Sequence, residues 1–200
     1  GGSEVYLGET LDALVRHHPE IELILFTQLE NDAGLRARFA QSPQVKFETC
    51  RFQASNRCSR IIREQAQLPM AVRRQRVDVL WSPGYTAPLF VSCPQVVSVL
   101  DMQYRNYPED LGPLARGVLH ALVTAACARC DRVITLSEFA KDEITRYTGV
   151  PAERITVTPL AAHPLFFQPL EEDRKPGVRT RLLGSSDPCM LCVSNTYPHK

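Results

Sequence analysis

The sequence predicts an α/β domain: a doubly wound parallel sheet covered by helices on both faces. Two observations carry this. Short apolar runs such as IELILFT (21–27), QVVSVLD (95–101) and RVITL (132–136) lack the period-two alternation of a half-exposed strand. Between them lie stretches in which apolar residues recur every three or four positions, the period of an amphipathic helix. At 200 residues, 44% hydrophobic and 22% charged, the chain has the apolar material for a real core and carries no signature of disorder.

Taken in order, Leu7, Leu11, Leu14 and Val15 place a helix over 3–16, opened by Gly1, Gly2 and Ser3. Strand 21–27 follows, then a weaker helix over 34–41 and a strand over 45–50. Residues 59–75 read as helix, interrupted or restarted at Pro69. A short strand over 77–81 leads into the turn Ser82-Pro83-Gly84-Tyr85. Strand 95–101 ends on Asp101, and the polar, aromatic loop 102–110 comes after it. Leu114, Val118, Ala121, Leu122 and Ala125 make the apolar stripe of the next helix. After strand 132–136, Ser137 stands at a helix N-cap, Glu138 in the first turn, and Gly149 where that helix stops. Strand 155–158 closes the series. Residues 161–188, rich in proline and charge, read as an extended interdomain linker between a domain over 1–160 and a fresh strand over 189–200.

Charge and cysteine narrow the function. The 23 basic and 22 acidic residues leave +1, with no field of the kind that draws a protein onto nucleic acid, although Arg73, Arg74 and Arg76 form a local patch. The uncharged stretch 79–100 is broken by Pro83, Gly84, Pro88 and Pro94 into pieces too short to span a membrane. No leader opens the chain, which sets a cytoplasmic expectation. The start at Gly1 without Met, and the stop at Lys200 just past a strand, suggest a fragment, or a cloning scar at the first three residues. Of the seven cysteines, Cys127/Cys130 and Cys189/Cys192 have zinc-knuckle spacing, yet they fall in a helix and a strand pattern, where free cysteine packs as a small hydrophobe. No metal is expected.

Ligands of open α/β sheets bind outside the carboxyl ends of the strands, which brings Asp101 forward as the catalytic candidate. A turn-initiating Asx would explain it as well. Tyr104, Arg105, Asn106 and Tyr107 after it suit sugar hydroxyls, or an ordinary exposed loop. The backbone of Gly1 and Gly2 and the helix opened by Ser137 and Glu138 each offer N–H groups to an anion; a flexible terminus and a plain N-cap are the competing readings. His17 and His18 read as surface residues at a helix end and His120 as solvent-facing, and no histidine assembles into a catalytic triad.

Four segments, GGSEVYLGETLDAL, PQVVSVLDMQYRNYPEDL, DRVITLSEFAKDEITRYTGVPAERITVTPLAAHPLFF and LCVSNTYPHK, resemble in their order the N-terminal domain and linker of a GT-B-fold, family-4 (group 1) glycosyltransferase. The DRVITLSEFAKDEI block is the most specific. The resemblance implies a Rossmann-like N-terminal half of a GT-B fold, in a retaining hexosyltransferase that moves a sugar from a nucleotide-diphosphate donor to a polysaccharide or glycolipid acceptor. It places Gly1, Gly2, Ser137 and Glu138 toward the donor diphosphate, Asp101 at the family's His-Asp position, and Tyr85, Tyr104 and Arg105 on the acceptor side. Leu100 stands where the histidine usually is. The groups that neutralise the diphosphate and hold the donor sugar would belong to a C-terminal domain beginning near Tyr197, so this piece is expected to be inactive alone. Lipid-linked acceptors would bring peripheral membrane contact; donor, acceptor and oligomeric state stay open. The competing expectations are a nucleotide-sugar epimerase of the same architecture and a non-catalytic zinc module built on the paired cysteines.

Overall fold

The computed structural model describes residues 2–50, 57–169, 174–184 and 190, which fall into two units, Gly1–Pro159 and Leu160–Lys200. Within the first, helix α1 (Gly2–His17) leads to strand β1 (Leu23–Gln28), helix α2 (Leu29–Arg38) and strand β2 (Val45–Cys50). Helix α3 (Arg57–Arg74) precedes β3 (Leu80–Ser82), and β4 (Gln95–Ser98) follows after a long loop. Then come the single-turn helix α4 (Gln103–Asn106), α5 (Pro113–Arg129), β5 (Arg132–Thr135), α6 (Glu138–Thr148) and β6 (Ile155–Val157).

Among the described residues every strand pairing is parallel, in keeping with the continuous apolar runs. The pairings form two groups, β1–β2 and β3–β4–β5–β6. The larger group is wrapped around one core in which Val97, Val99, Val123, Val133 and Ile144 are fully buried. Helix α5 packs on β4 and on α6, and α6 packs on β6. Arg154 fixes the far end of α5 by donating to the carbonyls of Cys127 (3.2 Å), Ala128 (3.4 Å) and Cys130, a cation set at the negative end of the helix.

Around the smaller group, α2 is fastened on two sides. Arg38 reaches α1, pairing with Glu9 at 3.0 Å and Asp12 at 2.5 Å over the buried Gly8, where any side chain would run into its guanidinium. Asp32 accepts from Thr27 and Thr49, opposite each other on β1 and β2, and from Arg36 Nε at 2.6 Å. The Arg36 guanidinium, and then the Thr27 hydroxyl, hold the Asp32 carboxyl down at about 2.

Four expectations need correction. Pro69 does not break its helix: α3 runs through it, giving up one backbone bond inside an eighteen-residue element. The stripe expected to bury α5 is the wrong face. Leu114 and Val118 are exposed, and Val123, Ala126 and Cys127 are buried, because a helix this rich in small apolar residues has no sharp amphipathic phase. The loop after Asp101 is not irregular throughout, since it holds α4 and a 3-10 turn at Pro108–Asp110. Residues 161–188 are not uniformly extended either: a 3-10 turn covers Pro164–Phe167 and helix α7 covers Arg174–Leu183. The strand expected over 189–200 lies outside the described residues, apart from Met190.

Candidate functional site

Strands β4 and β5 deliver the two most prominent candidates side by side. Ser98 pairs with Ile134, and the Val99 N–H continues the ladder to the Ile134 carbonyl at 2.9 Å. Asp101 and Ser137 each stand three residues past that Ser98–Ile134 step, at the carboxyl edge of the sheet.

Asp101 is exposed, and its carboxylate is already engaged. Oδ1 accepts the Gln103 N–H at 3.0 Å, the Asx geometry that starts α4, and also the Tyr85 hydroxyl at 2.8 Å. The turn-initiating role of Asp101 is therefore present, and the same oxygen also holds the Tyr85 hydroxyl. Burial, and after it the neighbouring Asp101 carboxylate, push the Tyr85 phenol well above the ordinary tyrosine range, so it stays protonated and donating. The Tyr85 backbone is left-handed, with φ 53°, and its N–H donates to the Ser98 carbonyl at 2.9 Å.

Around Ser98 a second group closes the edge. Ser98 is completely buried; its Oγ accepts from Trp81 Nε1 at 2.9 Å and lies 3.3 Å from the Tyr6 hydroxyl. The rings of Tyr6 and Trp81 meet edge to face at 6.2 Å. One turn separates Tyr6 from Gly2, so the opening of α1 is tied to the end of β4. Gly2 itself is exposed and has open space around its Cα, and Gly1 lies outside the described residues.

Tyr104 does not reach the surface as expected. It is 6% exposed, and its hydroxyl lies 3.2 Å from Nδ1 of His120. Burial is the main reason its phenol is pushed up to about 12. His120 was expected in solvent; instead it is half-buried against this ring, and burial lowers its pKa. Arg105, next in sequence, is exposed, with its guanidinium 5.0 Å over the Tyr147 ring. Asn106 donates to the buried Glu143 of α6 and accepts from the Tyr147 hydroxyl at 3.2 Å. Helix α4 is thus anchored to α5 by Tyr104 and to α6 by Asn106, and Arg105 is left to face outward.

Ser137 is the N-cap of α6, accepting from the Ala140 N–H at 3.1 Å, and Glu138 is exposed in the first turn. Cys127 and Cys130 are fully buried in the core, and burial lifts their thiols to about 12 and about 11, away from the thiolate a metal would need. Cys189 and Cys192 lie outside the described residues. Among the described residues, no cluster of three or more His, Cys, Asp or Glu could hold a metal, and no helix is long and apolar enough to cross a membrane.

A family model described as Glycosyltransferase Family 4 matches residues 1–163. The chain belongs to glycosyltransferase family 4. No curated protein matches it. The Rossmann-like unit is an N-terminal GT-B domain of this family, for which nucleotide-sugar and acceptor binding are implied in general. Several residues that brace β4 and α4 were missed: Ser98, Trp81 and Glu143, together with the burial of His120. Glu143 had a signal, since its spacing from Ala140 and Tyr147 sets it on the apolar face of α6, where a carboxylate needs a partner.

Proposed function

We propose that this family-4 domain is the acceptor-side half of a retaining hexosyltransferase that moves a sugar from a nucleotide-diphosphate donor to a polysaccharide or glycolipid acceptor. One observation carries the acceptor-side reading: the Asp101 carboxylate accepts from Tyr85 and from the start of α4 at once. A carboxylate so engaged is a positioning group. It fixes the Tyr85 phenol on one side and the start of α4, the helix that carries Arg105, on the other, and these offer a ring face, a guanidinium and hydroxyl partners to a sugar acceptor. Gly2 and the N-terminus of α6 at Ser137 and Glu138 turn backbone N–H groups toward the donor diphosphate. Stabilising the leaving diphosphate is the large catalytic term, and its cationic groups belong to a C-terminal domain, so the chain alone is inactive. No step calls for a metal.

The test is transfer by the complete two-domain enzyme against a panel of uridine and guanosine diphosphate sugars, with the product anomer read by NMR. The reading expects acceptor-dependent release of nucleoside diphosphate, retention at the anomeric carbon and no turnover by residues 1–200 alone. An inverted product, or donor epimerised with no acceptor present, overturns it.

A further inference from the structure

The crossover from β3 to β4 is unusual for a parallel pair. It covers residues 83–94 and contains no helix, so its backbone groups lack the internal partners a crossover helix would give them. One side chain meets part of that need. Gln65 on α3 donates from Nε2 to the Ala87 carbonyl at 3.0 Å and accepts the Leu89 N–H on Oε1 at 2.8 Å. Its amide takes the place of a neighbouring strand, clasping the loop at two alternate residues. Two residues before Ala87 is Tyr85, which holds a left-handed backbone, a conformation that disfavours a residue with a side chain unless its surroundings impose it. The Ser98 carbonyl fixes the Tyr85 N–H, Asp101 fixes its hydroxyl, and Gln65 fixes the chain immediately after it.

We infer that Gln65 is a positioning residue for acceptor recognition: its side-chain amide holds the helix-free crossover so that Tyr85 keeps the strained backbone that aims its hydroxyl at Asp101. Gln65 acts through Tyr85 and touches no substrate. The inference rests on the acceptor-side reading of Tyr85 given above.

The experiment is a double-mutant cycle in the complete enzyme, with Gln65→Leu, Tyr85→Phe and the pair, reading acceptor KM, donor KM and Tm. Gln65→Leu removes both hydrogen bonds and should raise acceptor KM about tenfold with donor KM unchanged. Gln65→Glu keeps the acceptor for Leu89, loses the donor to Ala87, and should fall between. The pair should be no worse than the more severe single variant, because both act on one group. If Tyr85→Phe raises acceptor KM while Gln65→Leu leaves it unchanged, or if the two effects simply add, the role of Gln65 is overturned. If Tyr85→Phe leaves acceptor KM unchanged, the acceptor-side reading itself fails. Should Gln65→Leu not fold, Gln65→Glu alone decides: an acceptor KM equal to that of the parent enzyme overturns the inference.

Discussion

Three helix ends in this chain show what a single residue contributes. Helices α6 and α7 are each followed by a left-handed glycine, Gly149 at φ 73° and Gly184 at φ 68°. Helix α3 finishes in the same way, with the Val77 N–H returning to the Val72 carbonyl at 3.2 Å, but its left-handed residue is the exposed Arg76 at φ 52°. A side chain in that conformation costs roughly 1–2 kcal/mol, and glycine gives back roughly 0.5–1 kcal/mol in unfolded-chain entropy. Arg76→Gly should therefore stabilise the domain by about 0.5–1 kcal/mol, seen as a higher midpoint in urea at unchanged slope; a lower midpoint would mean that Arg76 holds a contact worth more than its strain. The Ser137 cap and the Gly149 stop were legible in the sequence because each acts within one turn. The partnership of Tyr85 with Asp101 was not, since it depends on β3 lying beside β4. The burial of Tyr104 likewise depends on which face of α5 meets the core.

Helix α2, packed on β1 and β2, has no buried residue, so polar contacts have to hold it. Asp32 supplies the main one. Its pKa is depressed in the folded protein, from 3.8 to about 2. The stabilisation it gives is complete above about pH 4 and is lost as pH falls through about 2, where the folded form also takes up the proton. Asp32→Asn should destabilise the domain at pH 7 and flatten this part of its acid unfolding curve. Midpoints in urea between pH 7 and pH 2.5 check it, and a curve parallel to that of the parent protein would show that the network is idle. Strand periodicity located every element of the larger sheet, because strands buried on both faces leave continuous apolar runs. It failed on the phase of α5, where small apolar residues ring the helix, and on Pro69, where tertiary packing outweighs one lost hydrogen bond.

For the whole molecule, the sequence led to the parallel α/β fold and set Asp101 and Ser137 at the carboxyl ends of its strands. A parallel α/β order carries its ligands at the carboxyl ends, and Asp101 and Ser137 lie there, three residues beyond a shared step of the ladder. How those residues are joined was beyond its reach. The joints are single polar contacts across long sequence separations: Gln65 to Ala87 and Leu89, Ser98 to Trp81, and Asn106 to Glu143. They brace the edge on which the proposed acceptor site is built. The most direct test of that claim is the steady-state behaviour of Asp101 variants in the complete enzyme. Asp101→Ala removes the acceptor shared by Tyr85 and Gln103, and acceptor KM should rise about tenfold, the equivalent of roughly one to two net hydrogen bonds. Donor KM should not move, and Asp101→Asn, whose amide oxygen can still accept both bonds, should recover most of the loss. A donor KM that rises in step with acceptor KM, or an Asp101→Asn variant as impaired in kcat as Asp101→Ala, would contradict the account.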